Sequence, residues 1–261
     1  MPLHHERHGA GPPLLLLHGL GGSRHSFDPI LAELSADREV IAVDLPGFGE
    51  TPELVGPATI PAYADAIAAF LREQDLLGVD VVGSSMGARL ALELARRGGL
   101  VGKVVAMDPG GFWAPGQKRF FRISVGASAG LLKVVKPALP VLMNNPVTRT
   151  ALLAQFSARP WALDRETVLP ELVGFASAPA VRPALRGLVD GPEQEGAPAG
   201  SVDAPMLIMW GRKDKVTLPS QAKRATELFP DARLQWIEKC GHFPHWDQPA
   251  EAVAAIRGHL N

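Results

Sequence analysis

Short, nearly unbroken apolar runs recur along this chain, most of them followed by a stretch of helical periodicity, and that alternation leaves few architectures open. The runs are Pro13–His18, Glu39–Val43, Val79–Val82, Val101–Met107, Met206–Trp210 and Arg233–Ile237. The helical patterns are His25–Ser35, Ile60–Leu77, Met86–Arg97, Pro219–Leu228 and Pro249–Leu260. A strand with one wet face alternates apolar and polar side chains, whereas a strand that is apolar throughout is covered on both faces. Strands joined through helices run parallel. The pattern predicts an α/β fold with a mostly parallel central sheet flanked by helices.

The alternation stops after Asp108. From Gly111 to about Ala204 the apolar residues fall in helical-looking segments with no strand signal, and the Gly- and Pro-rich stretch 191–200 reads as a linker. This predicts one core, residues 1–110 and 201–261, interrupted by a helical insertion over 111–200. A chain of 261 residues suits one large domain with such an insertion.

Composition closes several other routes. A formal net charge of −1 lacks the basic footprint of a nucleic-acid binder. The single cysteine, Cys240, permits no internal disulfide framework. The beginning of the chain has no apolar signal-peptide core. The long apolar stretch Ile123 to Met143 is interrupted by Lys133, Lys136, Pro137 and Pro140, which makes a poor membrane span. The expectation is a cytoplasmic protein, monomeric or homodimeric, acting on a small molecule.

Chemistry enters at Gly83-Ser84-Ser85-Met86-Gly87. A strand that turns abruptly into a helix strains the residue at the turn and needs small residues two positions to either side. Ser85 has Gly83 and Gly87 there; Ser84 has Val82 and Met86. Ser85 is therefore the candidate nucleophile, and Ser84 a neighbour that lines or supports the pocket. A serine hydroxyl needs a base to attack near neutral pH. His242, in the loop after the last strand pattern, is the candidate base, and His245 its local competitor. Asp214 lies past the carboxyl end of the Met206–Trp210 run, where open α/β sheets gather functional groups. Asp108 ends another strand in the same manner but also serves as the turn into the insertion, so Asp214 is favoured as the acid that orients the imidazole.

The glycine-rich loop His18-Gly19-Leu20-Gly21-Gly22 follows the first run. It leaves backbone N–H groups free to face a developing negative charge, with Leu20 and Met86 as the two expected donors of an oxyanion hole. Each donor is worth roughly 3 kcal/mol of transition-state stabilisation. Lysine and Ser/Thr do not follow at P-loop spacing, and the histidines lack partners at metal-ligand spacing, so neither a nucleotide nor a metal is expected.

Taken together, these residues resemble the α/β-hydrolase fold family. The resemblance runs through the His18-Gly19 loop, Asp44-Leu45-Pro46-Gly47-Phe48-Gly49, the Gly83–Gly87 turn, Trp210-Gly211 with Asp214, and Gly241-His242, in the family's Ser, Asp, His order. It implies a cap over the site, acyl transfer through Ser85, and no cofactor. Ser85 sets the chain apart from members with an aspartate nucleophile. Carbon–carbon hydrolases of aromatic degradation are similar at Ser85-Met86-Gly87, but they typically carry Asn where this chain has Ser84, and Gly-Pro-Gly in the oxyanion loop. A carboxylesterase is the better match. A carbon–carbon hydrolase, a perhydrolase or a non-hydrolytic ligand receptor on the same fold are the alternatives.

The insertion bears on substrate. Over 111–163 it carries Lys118, Arg119, Arg122, Lys133, Lys136, Arg149 and Arg159 with no acidic residue, interleaved with aromatic residues. Most simply this is a solvated face, while a sharper expectation is that Arg119 or Arg122 attracts an anionic substrate or lipid surface. Trp113 and Phe243 are expected, with Ser84, at a largely apolar pocket suited to hydrophobic or aryl acyl groups.

Overall fold

A computed structural model describes residues 2–261. The strands are β1 (His5–His8), β2 (Pro13–Leu17), β3 (Glu39–Val43), β4 (Val79–Ser84), β5 (Val101–Met107), β6 (Met206–Gly211) and β7 (Arg233–Ile237). They form one sheet in the order β1-β3-β2-β4-β5-β6-β7, parallel except for β1, which runs antiparallel to β3. The core helices are α1 (Asp28–Leu34), α2 (Ile60–Glu73) and α3 (Met86–Arg97). Between β5 and β6 come α4 (Gln117–Val135), α5 (Leu139–Leu142), α6 (Pro146–Leu153), α7 (Arg165–Ser177) and α8 (Val181–Asp190), and among the described residues no strand. The chain closes with α9 (Gln221–Leu228), α10 (Pro244–Asp247) and α11 (Pro249–Leu260).

The apolar runs are explained by the layers. Leu14, Leu16, Val40, Ala42, Val82 and Val105 pack under α1 and α11. Their neighbours Leu15, Leu17, Ile41, Val43, Val81 and Val104 face α2 and α3 on the other side. Successive residues of a strand point to opposite faces, so a sheet covered twice needs both sets apolar.

β1 escapes an apolar-run criterion because His5-Glu6-Arg7-His8 is short and charged, as edge strands commonly are. Its side chains are held across the edge, Arg7 to Glu39 at 3.0 Å and Glu6 to Arg24 at 2.7 Å. The expected helix Ile60–Leu77 ends earlier, at Glu73, because Asp75 takes a left-handed backbone (φ 55°). The pattern His25–Ser35 opens as a 3-10 turn, Arg24–Phe27, capped by Ser23, before α1 begins.

Two features of this topology position the site. β2 is flanked by β3 and β4, so the chain leaves the carboxyl ends of β2 and β4 in opposite directions and opens a crevice there. Helix α7 then closes over that crevice. A Cβ on Gly21 would lie 2.1 Å from the Phe175 ring, and one on Gly174 2.9 Å from the Gly21 carbonyl, so the approach requires both glycines. By length and hydropathy Gln117–Leu142 qualifies as a membrane-crossing candidate. In the fold it is broken by a 3-10 turn at Lys136–Ala138, and the buried residues of α4 are Phe121, Val125 and Leu132.

Candidate active site

Ser85 sits between β4 and α3 with φ 55° and ψ −111°, a conformation that costs a non-glycine residue about 1–3 kcal/mol. Its neighbours explain why the turn can be so tight. A Cβ on Gly83 would meet the Gly87 carbonyl at 2.3 Å, and one on Gly87 would meet the Leu17 carbonyl at 2.0 Å. The Ser85 N–H donates to the Met107 carbonyl at 2.9 Å, which anchors the strained residue to β5.

The loops after β6 and β7 bring the other two groups to it. His242 Nε2 lies 2.8 Å from Ser85 Oγ, and His242 Nδ1 lies 2.8 Å from Asp214 Oδ2. Asp214 is itself held, its Oδ1 accepting the N–H groups of Val216 at 2.7 Å and Thr217 at 3.1 Å. Thr217 Oγ1 donates to Asp214 Oδ2 at 2.6 Å. This arrangement can move a proton from the Ser85 hydroxyl to Nε2 while Asp214 keeps the Nδ1 proton in place.

Asp108 lies behind this chain. Its Oδ1 accepts the Gly211 N–H at 2.8 Å, and burial, followed by the neighbouring Asp214 charge, raises its carboxyl well above the ordinary carboxylate range. Asp108, Asp214 and His242 are close enough for their ligand atoms to surround a cation. However, His242 engages both ring nitrogens, and Asp214 both oxygens, in the hydrogen bonds just described. His245 lies apart from the Ser85 hydroxyl: it is buried, its ring 5.1 Å from Phe27 and 5.5 Å from Phe243, and burial lowers it to about 3.

At the glycine loop, Gly22 N–H donates to the Gly19 carbonyl at 3.2 Å and closes a tight turn. Neither Leu20 N–H nor Met86 N–H has a partner among the described residues, and as the first residue of α3 Met86 lacks an intrahelical one. Gly19 lies so close to Ser85 that a Cβ there would stand 3.2 Å from the Ser85 Cβ. His18 fixes the start of this loop. Its Nδ1 bonds the Gly19 carbonyl at 2.7 Å and its Nε2 accepts the Leu45 N–H at 2.9 Å. These contacts require a neutral ring with its proton on Nδ1, and burial lowers its pKa to about 4. Asp44 accepts Arg24 N–H and Nη1, each at 2.7 Å, and is a structural support of the neighbouring loop.

A small cavity of about 40 Å³ adjoins the glycine loop, walled by Leu20, Phe156, Leu172, Phe175, Phe243 and Trp246, with Glu171 among them. Phe243, expected at the pocket, is part of this wall. Ser84 is absent from that wall: it is 1% exposed at the end of β4, with its hydroxyl unpartnered. Trp113 is also displaced from the expected pocket, packing against Phe121 and beneath the Arg89 guanidinium, 5.6 Å from its ring. Arg119 and Arg122 are exposed on the outer face of α4, and Arg122 pairs with Asp190 and Lys118 with Glu193. None of these cations lines the cavity. A wider depression of about 380 Å³, lined by Arg159, Asp164 and Asp247, opens on the other side of Trp246 and holds no part of the Ser85 chain.

Some contributors carried no sequence signal. Glu171 is one acidic residue in an α7 stretch, Val168-Leu169-Pro170-Glu171-Leu172-Val173, that gives no hint of which side faces inward. Asp247 is another: its Oδ2 accepts Gly241 N–H at 2.7 Å and Ala158 N–H at 2.8 Å, and its Oδ1 accepts the Ser157 hydroxyl.

Comparison with known proteins follows the same outline. The model of the alpha/beta hydrolase family matches residues 14–256. A pimeloyl-[acyl-carrier protein] methyl ester esterase of Neisseria meningitidis is 30% identical over 256 residues, covering 92% of this chain and 90% of the esterase. A putative lipase from Acinetobacter baumannii superposes with a TM-score of 0.77 at 23% identity, over 98% of this chain and 86% of the lipase. A meta-cleavage product hydrolase from Pseudomonas fluorescens superposes with a TM-score of 0.74 at 20% identity, over 99% and 94%.

Proposed function

Because this chain belongs to the alpha/beta hydrolase family, we propose that it is a serine-dependent carboxylic ester hydrolase whose acyl pocket lies beneath a helical cap formed by α4–α8. The observation that carries the reading is the unbroken hydrogen-bonded chain from Ser85 Oγ through His242 to Asp214. The esterase similarity across most of both chains supports the same class.

In this reading Ser85 Oγ attacks the ester carbonyl carbon as its proton passes to His242 Nε2. The carbonyl oxygen becomes an oxyanion between the Leu20 and Met86 N–H groups. The tetrahedral intermediate collapses, the ester C–O bond breaks, and Nε2 returns the proton to the departing alkoxide. Water repeats the sequence on the acyl-enzyme and releases the acid. Asp214 stabilises the imidazolium in both halves without itself taking the proton. Two oxyanion donors together supply roughly 5–8 kcal/mol. The small apolar cavity favours hydrophobic or aryl acyl groups and requires the cap side chains to shift as substrate enters.

A fluorophosphonate probe with peptide mapping, beside a chain-length series of aryl esters, tests the reading. Ser85 is expected to carry the label, and Ser85→Ala to lose both label and turnover. Label elsewhere, or none, overturns the mechanism. Cleavage of a dienoate ring-cleavage product with no ester turnover would assign carbon–carbon hydrolysis instead, and labelling without any turnover would favour a receptor.

A further inference from the structure

The cavity beside the Ser85 chain contains one ionisable side chain, Glu171 of α7, in a wall otherwise made of aliphatic and aromatic residues. Its hydrogen-bond partner among the described residues is a single neutral one: Ser26 Oγ donates to Glu171 Oε1 at 2.8 Å. No lysine or arginine is paired with it among the described residues, and the nearest charge acting on it is the like charge of Asp28. A carboxyl group enclosed by apolar walls with no cation is costly unless something else satisfies it. Trp246, in the same wall, has an indole N–H without a partner.

Resting on the hydrolase reading of this site, we infer that Glu171 is the specificity-determining residue of the acyl pocket, selecting acyl groups that carry a hydrogen-bond donor, hydroxyl or ammonium, and excluding acyl groups that end in a carboxylate. The geometry gives both halves of the preference. The Glu171 oxygen not bound by Ser26 is an acceptor in a region with no competing cation, so a donor on the substrate satisfies it. A substrate carboxylate would enter the same small space against a like charge, with the charge of Asp28 adding to it and no arginine or lysine on the wall. The basic residues Arg119, Arg122, Lys133 and Lys136 lie on the outer face and cannot compensate inside. Burial raises the Glu171 carboxyl to about 7, with the Ser26 hydrogen bond opposing and Asp28 adding to the rise, so the carboxylate form predominates in mildly alkaline solution.

The test compares aryl esters of unsubstituted, ω-hydroxy, ω-amino and ω-carboxy acids in mildly alkaline buffer, together with matching non-hydrolysable aryl ketones bound by calorimetry. The wild-type protein is expected to disfavour the ω-carboxy ester relative to its unsubstituted counterpart by roughly a hundredfold in kcat/KM. It is expected to favour the ω-hydroxy and ω-amino esters by about tenfold. Glu171→Gln should bring the ω-carboxy and ω-amino esters within about threefold of the unsubstituted ester measured with the same variant. Ser26→Ala removes the contact between α7 and the core but leaves the carboxylate, and should keep the wild-type ranking. Equal changes for every substrate in Glu171→Gln, or the same loss of ranking in Ser26→Ala, would overturn the inference in favour of a purely structural tie. If esters turn over with no ranking, this inference fails and the hydrolase reading stands. If no ester turns over but the ketones bind in the expected order, the reverse holds.

Discussion

The His242 N–H donates to the Phe156 carbonyl at 2.8 Å, so the loop that carries the imidazole is held from the helical layer as well as from the sheet. Asp247 reinforces the same junction by accepting from Gly241 N–H on the loop and Ala158 N–H on the layer. The imidazole can therefore be only as well placed as the packing of α4–α8 against the core.

Asp247→Ala orphans these donors, and each buried unpaired group costs about 1–3 kcal/mol. Urea denaturation should show a loss of about 2–4 kcal/mol, and steady-state kinetics a fall in kcat of about tenfold or more with KM little changed. Lost stability with an unaltered kcat would show that the imidazole does not depend on this junction.

Asp214 and Asp108 should respond oppositely to the same isosteric change. Asp214→Asn presents the wrong group to His242 Nδ1 and should lower kcat by about 10⁴-fold. Burial, followed by the Asp214 charge, raises the Asp108 carboxyl, which disfavours a second negative charge beside Asp214, so Asp108→Asn should keep kcat within about tenfold. The unfolded chain loses the Asp108 proton above an ordinary pKa near 4, whereas the raised carboxyl of the folded protein loses it only at higher pH, so this residue lowers stability as pH rises from about 4 towards the raised folded value. The melting temperature of Asp108→Asn relative to wild type should rise between pH 4 and neutrality, about the same span in which that penalty grows. A constant difference across that range would rule out a raised Asp108 carboxyl.

The buried rings of His18 and His245 make the opposite contribution. Burial lowers them to about 4 and about 3. Below the ordinary value near 6.5 the unfolded chain takes up protons that the folded rings refuse, so stability falls as pH drops from about 6.5 towards 4, by about 1.4 kcal/mol per pH unit for each ring. His245→Phe, which keeps the aromatic packing on Phe27, should reduce that slope by one proton's worth in melts recorded against pH. An unchanged slope would contradict a neutral His245.

Two glycine substitutions should separate folding from chemistry. At Gly87 an added Cβ meets the Leu17 backbone at 2.0 Å, so Gly87→Ala must move β2 or α3 and should cost about 3 kcal/mol or more, or leave the protein insoluble. At Gly19 the contact is 3.2 Å from the Ser85 Cβ, a shift of a few tenths of an ångström. Gly19→Ala should fold with nearly wild-type stability and lose about 10- to 100-fold in kcat. Similar thermal melts and similar rates for the two variants would show that neither approach is as tight as it stands.

The sequence by itself determined the layers and the turn. Runs such as Leu14–Leu17 must be covered on both faces, and of the two adjacent serines after β4 only Ser85 has glycine two residues away on each side; both constraints act over a few residues and can be read there. The order of the chemical groups was legible for the same reason, since Asp214 and His242 each follow a strand. Tertiary structure decided which of these groups meet. His242 and Ser85, 157 residues apart, touch because β2, β4, β6 and β7 end on one edge of a parallel sheet. It decided that Ser84 is buried away from the cavity wall and that Trp113 packs under the Arg89 guanidinium, since the side a residue faces depends on what packs against it. It also decided that Glu171 alone among the cavity's lining residues can ionise, because an acidic residue on a helix looks the same in sequence whether it meets open water or the wall of an apolar cavity. Local periodicity sets which elements form; only the packing of distant elements sets the burial, and with it the charge and chemistry, of the groups they carry.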